Sequence, residues 1–324
     1  MVQFSHEILG IGNPFVDLIL KISEEKLAQL PGGKGGMVPV DYPSFLQIVE
    51  NSDQKPHFVF GGSCANTIRG LAYFGRRCAL IGKVGVDDAG ARFLAHLEEL
   101  NIKPLLVQSS TPTAQVACLV TPDRERTMRS FLGASREMSF RDLDPAAFSG
   151  VKLVHIEGYN LVNEQVVQRG MQLAKEAGAF VSFDIGSYEL AQARREEILG
   201  LLNDYVDIVF ANQMELHALT HLPPVEGCAI LKKKCQVVVV LLGAEGCLVG
   251  YKDKIVHVPA FLVDPLDTTG AGDLFASGFL HAFLDDCSLE ECARLGARSG
   301  AAIVQVHGVN LDKWQKFLQK FPYS

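Results

Sequence analysis

The chain has 324 residues, with 30 Lys and Arg against 37 Asp and Glu, a formal net charge of −7 with His neutral. Hydrophobic residues make up 48% and charged ones 21%, which is enough apolar surface for a sizeable core and excludes a disordered chain. The acid excess argues against nucleic acid as a partner, and no apolar run approaches the roughly 20 residues that cross a bilayer. Met1–Glu7 has no positive segment leading into an apolar one, so a cytoplasmic protein is expected. The eight cysteines are scattered, without a Cys-x-x-Cys pair, and read as small buried hydrophobes of a reducing compartment.

Apolar runs of strand length alternate with segments of helical period, which predicts an α/β fold: a mostly parallel sheet flanked by helices. Strands are expected at Ile8–Gly12, Cys78–Val84, Leu153–Glu157, Phe180–Asp184, Ile208–Ala211, Val237–Leu242 and Cys247–Tyr251. Between them the helical pattern covers Cys64–Phe74, Ala89–Leu100, Glu164–Ala177, Tyr188–Leu202, Gln213–Thr220 and Val225–Lys234, and two long helices, Ala271–Leu284 and Leu289–Val306, follow. Two stretches break the rhythm. Phe15–Ile22 and Gly36–Val40 flank a glycine-rich turn, and Ile102–Leu132 holds three short strand-like runs separated by turn signals. They predict antiparallel pieces that meet as a small β-sheet lid, built from about residues 13–40 and 102–133 within a single domain spanning 1–324. Such a lid would exclude water from a site.

The sharpest local signal is Asp264-Pro-Leu-Asp-Thr-Thr-Gly-Ala-Gly-Asp273, leading directly into a helical pattern. A glycine-containing turn that opens a helix points unpaired N–H groups and a positive dipole end at one place. Gly270, Ala271 and Gly272 offer little side chain to block a phosphate, so they form a candidate anion hole. Asp273, in the first turn, is a candidate base for an attacking hydroxyl, although a helix N-terminus lowers a carboxylate's pKa. The bland alternative is an Asp that only complements its own helix dipole.

The whole decapeptide resembles the signature of the ribokinase, or phosphofructokinase-B, family of small-molecule kinases, in which the last Asp is the catalytic base. Three more motifs stand in the family's order. Gly61-Gly-Ser-Cys-Ala-Asn66 matches a Gly-Gly motif opening a helix, with Asn66 where the family places a sugar-hydroxyl ligand. Gly12-Asn-Pro-Phe-Val-Asp17 puts Asp17 where two substrate hydroxyls are bound, with Asn13 beside it. Asn212-Gln-Met-Glu215 matches Asn-x-x-Glu, whose residues organise magnesium and phosphate, partly through water.

The resemblance implies ATP and Mg2+, with Asn212, Glu215, Gly243, Gly246, Ala301, His307 and Gly308 on the nucleotide side. In the nucleotide loop many members carry Thr where this chain has Leu241. A monovalent cation, potassium in many members, is implied at Asp267 and the carbonyl of Thr269. Ser63 stands where sugar kinases of the family usually have Lys, and with Gly-Asn-Pro and the Asp17 spacing it resembles the adenosine-kinase branch. Tyr159 falls in the segment that stacks the base there, next to Asn160 where the eukaryotic enzymes have Phe, and Tyr188 is a further candidate ring.

The expected activity is ATP-dependent phosphorylation of a primary hydroxyl, the 5′-hydroxyl of a ribonucleoside such as adenosine. The alternatives are a sugar such as ribose or fructose, or a non-catalytic sensor. The apolar run Val116–Val120 leaves open a monomer or a homodimer through the lid. Three other patterns carry no chemistry. Gly10-Ile-Gly-Asn lacks the third glycine of a dinucleotide fingerprint, Gly32-Gly-Lys-Gly-Gly36 lacks the Ser/Thr of a phosphate loop, and His217 and His221 lack a third metal ligand.

Overall fold

The computed structural model describes residues 6–321 except Arg124 and Glu164. The strands are β1 (Ile8–Ile11), β2 (Phe15–Lys21), β3 (Met37–Pro39), β4 (His57–Gly61), β5 (Cys78–Gly85), β6 (Lys103–Ser109), β7 (Gln115–Val120), β8 (Arg126–Phe131), β9 (Leu153–Glu157), β10 (Phe180–Asp184), β11 (Ile208–Asn212), β12 (Val237–Leu241), β13 (Cys247–Tyr251) and β14 (Lys254–Val258). The helices are α1 (Glu24–Leu27), α2 (Tyr42–Glu50), α3 (Ser63–Tyr73), α4 (Asp88–Glu99), α5 (Val166–Glu176), α6 (Tyr188–Ala193), α7 (Arg195–Asp204), α8 (Gln213–Thr220), α9 (Pro224–Leu231), α10 (Ala271–Phe283), α11 (Leu289–Ile303) and α12 (Leu311–Leu318).

Nine strands form the large sheet in the order β14-β13-β12-β11-β10-β9-β1-β5-β6, parallel from β6 through to β12. Alternate residues along each strand feed two cores. Ile8, Leu153, Ile208 and Phe210 pack toward α3, α10 and α11, while Leu9, Val154, Val181 and Val209 pack toward α5, α7 and α9. From β1 the chain winds one way to β5 and β6, and from β9 it winds the other way to β12. The gap between the carboxyl ends of β1 and β9 is therefore the switch point at which open α/β sheets bind ligands.

The second sheet has the order β3-β8-β7-β2-β4. Its period-2 pattern divides the work between two faces. Val16, Leu18, Leu20, Ala117 and Leu119 are buried with Phe45 and Ile48 of α2, whereas Phe15, Asp17, Ile19, Val116, Cys118, Arg126, Met128 and Ser130 face a cavity over the large sheet. This is the expected lid, with four differences. β4 belongs to it, and β6 does not: with α4 as its crossover, β6 pairs parallel with β5 in the large sheet, so the 102–133 segment is shared between the two sheets. The pairing is mixed, since β2–β7 and β3–β8 are parallel. β7 is the central strand, so the Val116–Val120 run has no free edge for a second copy.

Other departures are local. The expected 188–202 helix breaks at Arg194, whose backbone leaves helical geometry (φ −118°, ψ 24°). α2, α12 and β14 are additional, and Cys287 is exposed while the other seven cysteines are buried and all eight are unpaired. Among the described residues no helix is long and apolar enough to cross a membrane.

Where the chain leaves β6 for the lid, Thr113 is buried against Asp87, the N-cap of α4. The Asp87 carboxylate accepts from the Thr113 N–H (2.7 Å), the Thr113 hydroxyl (2.6 Å) and the Gly90 N–H (2.8 Å). The Thr113 Oγ1 in turn accepts from the Gly85 N–H at 2.9 Å. Asp87→Ala removes a cap and leaves buried donors unmet, so chemical denaturation is expected to show a loss of about 2–4 kcal/mol. A loss below about 0.5 kcal/mol, the range of an ordinary surface change, would contradict this joint.

Candidate active site

The site is assembled from loops at the carboxyl ends of β1, β9, β10 and β11 and from the first turns of α3 and α10. Glu157 ends β9, almost wholly buried, and accepts from the Asn13 N–H and from the Cys64 N–H, both at 2.8 Å. One carboxylate thus ties the loop after β1 to the start of α3 across the switch point. Burial pushes its pKa up to about 7, even though both N–H bonds favour the charged form. The paired glycines have separate reasons. A Cβ at Gly61 would stand 2.8 Å from Asp17 Oδ2, and Gly62 holds φ +99°, where a Cβ would stand 2.2 Å from the Asn13 carbonyl oxygen.

Asp273 lies in the first turn of α10, whose N-cap Gly270 is left-handed (φ 77°). Its Oδ1 accepts from the Ser63 hydroxyl and its Oδ2 from Asn66 Nδ2, each at 2.8 Å. Asn66 Oδ1 accepts from buried Arg69 at 3.0 Å, which fixes the amide's orientation. Ser63 and Asn66 therefore act on the carboxylate itself. Burial outweighs the donors and Arg69 and raises Asp273 to about 6. In the turn before it, the Ala271 N–H is bonded to the Thr268 carbonyl at 3.2 Å, while the N–H groups of Gly272 and Asp273 find no acceptor among the described residues.

Two cavities meet here. The larger, about 420 Å³, lies under the lid and is lined by Asn13, Asp17, Gly61, Gly62, Ser63, Asn66, Tyr159, Thr269 and Gly308, with the apolar lid residues above. The smaller, about 280 Å³, is lined by Ser63, Tyr159, Asp184, Asn212, Glu215, Gly272 and Asp273. Tyr159 borders both, its hydroxyl donating to the Gly186 carbonyl at 2.8 Å. The Asp17 carboxylate accepts no hydrogen bond from the described residues. Burial raises it to about 6 against the pull of Arg69 and Arg126.

Asn212 is both cap and site residue: its Oδ1 accepts from the N–H groups of Met214 and Glu215, and the Glu215 carboxylate accepts from the Asn212 N–H and Nδ2. Gly308, expected on the nucleotide side, instead lines the lid cavity. Gly243, Gly246, Ala301 and His307 line neither cavity, and Tyr188 faces a separate surface hollow with His217 and His221. Asp267 is tied to Arg126, Thr269 and Gly308.

Glu157, Asp184, Arg69 and Arg126 are site residues that no motif flagged. Asp184 is driven well above the usual carboxylate range by burial and by repulsion from Glu215 and Asp273. A position rule would have found two of them, since Glu157 and Asp184 are the last residues of parallel strands.

Because the Ser63 and Asn66 donors stabilise the charged carboxylate, Ser63→Ala and Asn66→Ala should each move the Asp273 titration above about 6. Carboxyl 13C NMR of the unliganded protein reads this directly. An unchanged or lower midpoint in both variants would contradict the bonding described.

A family model described as pfkB family carbohydrate kinase matches residues 41–316. The chain is 27% identical over 268 residues to a nucleoside kinase of Methanocaldococcus jannaschii, covering 81% of this chain and 85% of that one. It is 30% identical over 271 residues to fructokinase-1 of Oryza sativa subsp. japonica, covering 76% and 84%. Among solved structures, an adenosine kinase from Sinorhizobium meliloti superimposes with a TM-score of 0.87 at 28% identity, covering 97% of this chain and 99% of that one.

Proposed function

Starting from the finding that the chain belongs to the pfkB family of carbohydrate kinases and is a phosphotransferase with an alcohol acceptor, we propose that it phosphorylates the 5′-hydroxyl of a ribonucleoside with ATP as donor. The observation that carries the reading is the position of Asp273. Its carboxylate lines the smaller cavity and is oriented by Asn66 and by Ser63, which borders both cavities, beside unpaired N–H groups of its own helix turn.

The lid cavity favours a nucleoside over a free sugar. Asn13 and Asp17 offer acceptors for the ribose hydroxyls, and although Arg126, Ser130, Ser135, Arg136 and Asn163 also line the cavity, Phe15, Ile19, Val116, Met128, Leu132 and Val162 give it a broad apolar surface. A ribose can set its 2′- and 3′-hydroxyls against Asp17 and its base against the apolar wall and the Tyr159 ring. A hexose carries hydroxyls on nearly every carbon, and several would be buried without partners at a cost of roughly 1–3 kcal/mol each.

In this reading the acceptor hydroxyl gives its proton to Asp273 as its oxygen attacks the terminal phosphorus, and the bond to the leaving diphosphate breaks. The N–H groups of Gly272 and Asp273 and the N-terminus of α10 meet the charge on the transferred group. The lid covers the cavity, with Phe15, Ile19, Val116 and Met128 among its facing residues, and so excludes water as a competing acceptor.

Magnesium fits the smaller cavity's chemistry. Among the described residues no group of three or more His, Cys, Asp or Glu is set to hold an ion directly. Asp184, Glu215 and Asp273 nevertheless face one space, with burial raising all three. A hydrated divalent cation carried in on the triphosphate would meet that acidity through water and neutralise phosphate charge.

ADP release across a panel of nucleosides and sugars tests the assignment. Nucleosides should exceed every free sugar in kcat/KM, and Asp273→Asn should lose a factor of about 10²–10⁴ in kcat. kcat/KM should fall on the acid side with an apparent pKa near 6, because protonation removes both the base and the Asp17 acceptor. Fructose or ribose as the best substrate would replace the nucleoside reading with a sugar kinase, and full turnover in Asp273→Asn would overturn the base.

A further inference from the structure

Asp267 stands six residues before Asp273, at the place where the family resemblance implies a monovalent cation together with the Thr269 carbonyl. The residues here do not fit such an ion. Oδ1 of Asp267 accepts from the Thr269 N–H (3.1 Å) and the Thr269 hydroxyl (2.7 Å). Oδ2 accepts from the Gly308 N–H at 2.7 Å and pairs with the Arg126 guanidinium at 2.7 Å. The nearby Val304 carbonyl is also taken, by the N–H groups of Leu266 (2.6 Å) and Asp267 (3.1 Å).

A potassium ion is held by oxygens that replace its hydration shell. In this chain both Asp267 carboxylate oxygens already face donors, and a metal ion placed between them and the Thr269 carbonyl would also sit against the Arg126 guanidinium charge. The pair itself is well placed to persist. The Asp267 side chain is 8% exposed and that of Arg126 26%, so solvent screens the attraction only partly.

We propose that the Arg126 guanidinium is the resident cation beside the anion hole, taking the place of a monovalent metal ion, so that the protein does not respond to potassium. The positive charge is then supplied by the lid. Arg126 opens β8, lines the substrate cavity and holds the loop that feeds α10. A closed lid and a charge-balanced Asp267 become one event, and solution ions have no part in it. The catalytic meaning of this substitution rests on the kinase reading above, but the ion preference itself can be measured without turnover.

The experiment is thermal unfolding of the unliganded protein in potassium, sodium and choline chloride at matched ionic strength. The native protein is expected to unfold at the same midpoint in all three. Arg126→Gln and Arg126→Met, which remove the charge while keeping much of the side-chain bulk, are expected to gain a potassium-specific rise of about 2 °C or more. A potassium-specific rise in the native protein overturns the proposal, and this arm needs no variant. A lack of any potassium-specific rise in both variants, with cooperative unfolding, overturns it as well. ADP release measured in the same salts separates the two readings. Turnover that is equal in potassium and choline agrees with the resident arginine, whereas no turnover with any substrate would count against the kinase and leave the thermal comparison standing.

Discussion

Carboxylates buried at the carboxyl edge of the large sheet are the constraint on which the site depends. Burial raises the affinity for protons of Glu157, Asp184, Glu215 and Asp273, and repulsion from neighbouring carboxylates adds to it at Glu157 and Asp184. A chain that gathers this much acidity without matching cations holds a site of high electrostatic energy. That energy is relieved by a proton, by a cation, or by hydrogen-bond donors aimed at single oxygens, and the structure uses the third means at Glu157 and Asp273. Two N–H groups serve Glu157, and a hydroxyl and an amide serve Asp273. A base poised near pH 6 follows from that balance.

The same balance explains how a chain of net charge −7 can serve a triphosphate. In the proposed reading phosphate is met by the N–H groups at the start of α10, which need no basic surface. The two arginines that matter are spent on structure. Arg69, buried in α3, donates to the Phe60 carbonyl at 2.7 Å and to Asn66, and so orients the amide that in turn orients Asp273. Arg126 reaches from the lid to Asp267. The lid is thereby joined to the catalytic loop on one side and to α4, through Thr113 and Asp87, on the other.

What the sequence could show was local. Asp264–Asp273 and Asn212–Glu215 each lie within one short segment, and the structure shows the first as a turn that opens α10 and the second as the cap of α8. Most of the large-sheet strands were legible from their apolar runs for the same reason. The partners of these motifs were not, because they come from afar: Asn66 is 207 residues from Asp273 and Glu157 is 144 from Asn13. No periodicity signals a bond of that kind. The misplacement of β6 has a different cause. Its sequence reads as a short strand like those that follow it, and only the register with β5, set by the α4 crossover, decides which sheet it joins. Helix α2, which covers the outer face of the lid with Phe45 and Ile48 buried and the Tyr42 and Phe45 rings against Phe131, was not read from the sequence.

The account stands on one geometrical claim, that Asp273 receives the proton of the acceptor hydroxyl at the meeting point of the two cavities. A crystal structure with a nucleoside and a non-hydrolysable ATP analogue bound together tests it most directly. The account predicts the 5′-oxygen within about 2.6–3.2 Å of an Asp273 carboxylate oxygen, with the terminal phosphorus beyond it on the side of Gly272. A nucleoside held with its 5′-oxygen turned away from Asp273, or a triphosphate bound elsewhere than at the start of α10, would contradict it.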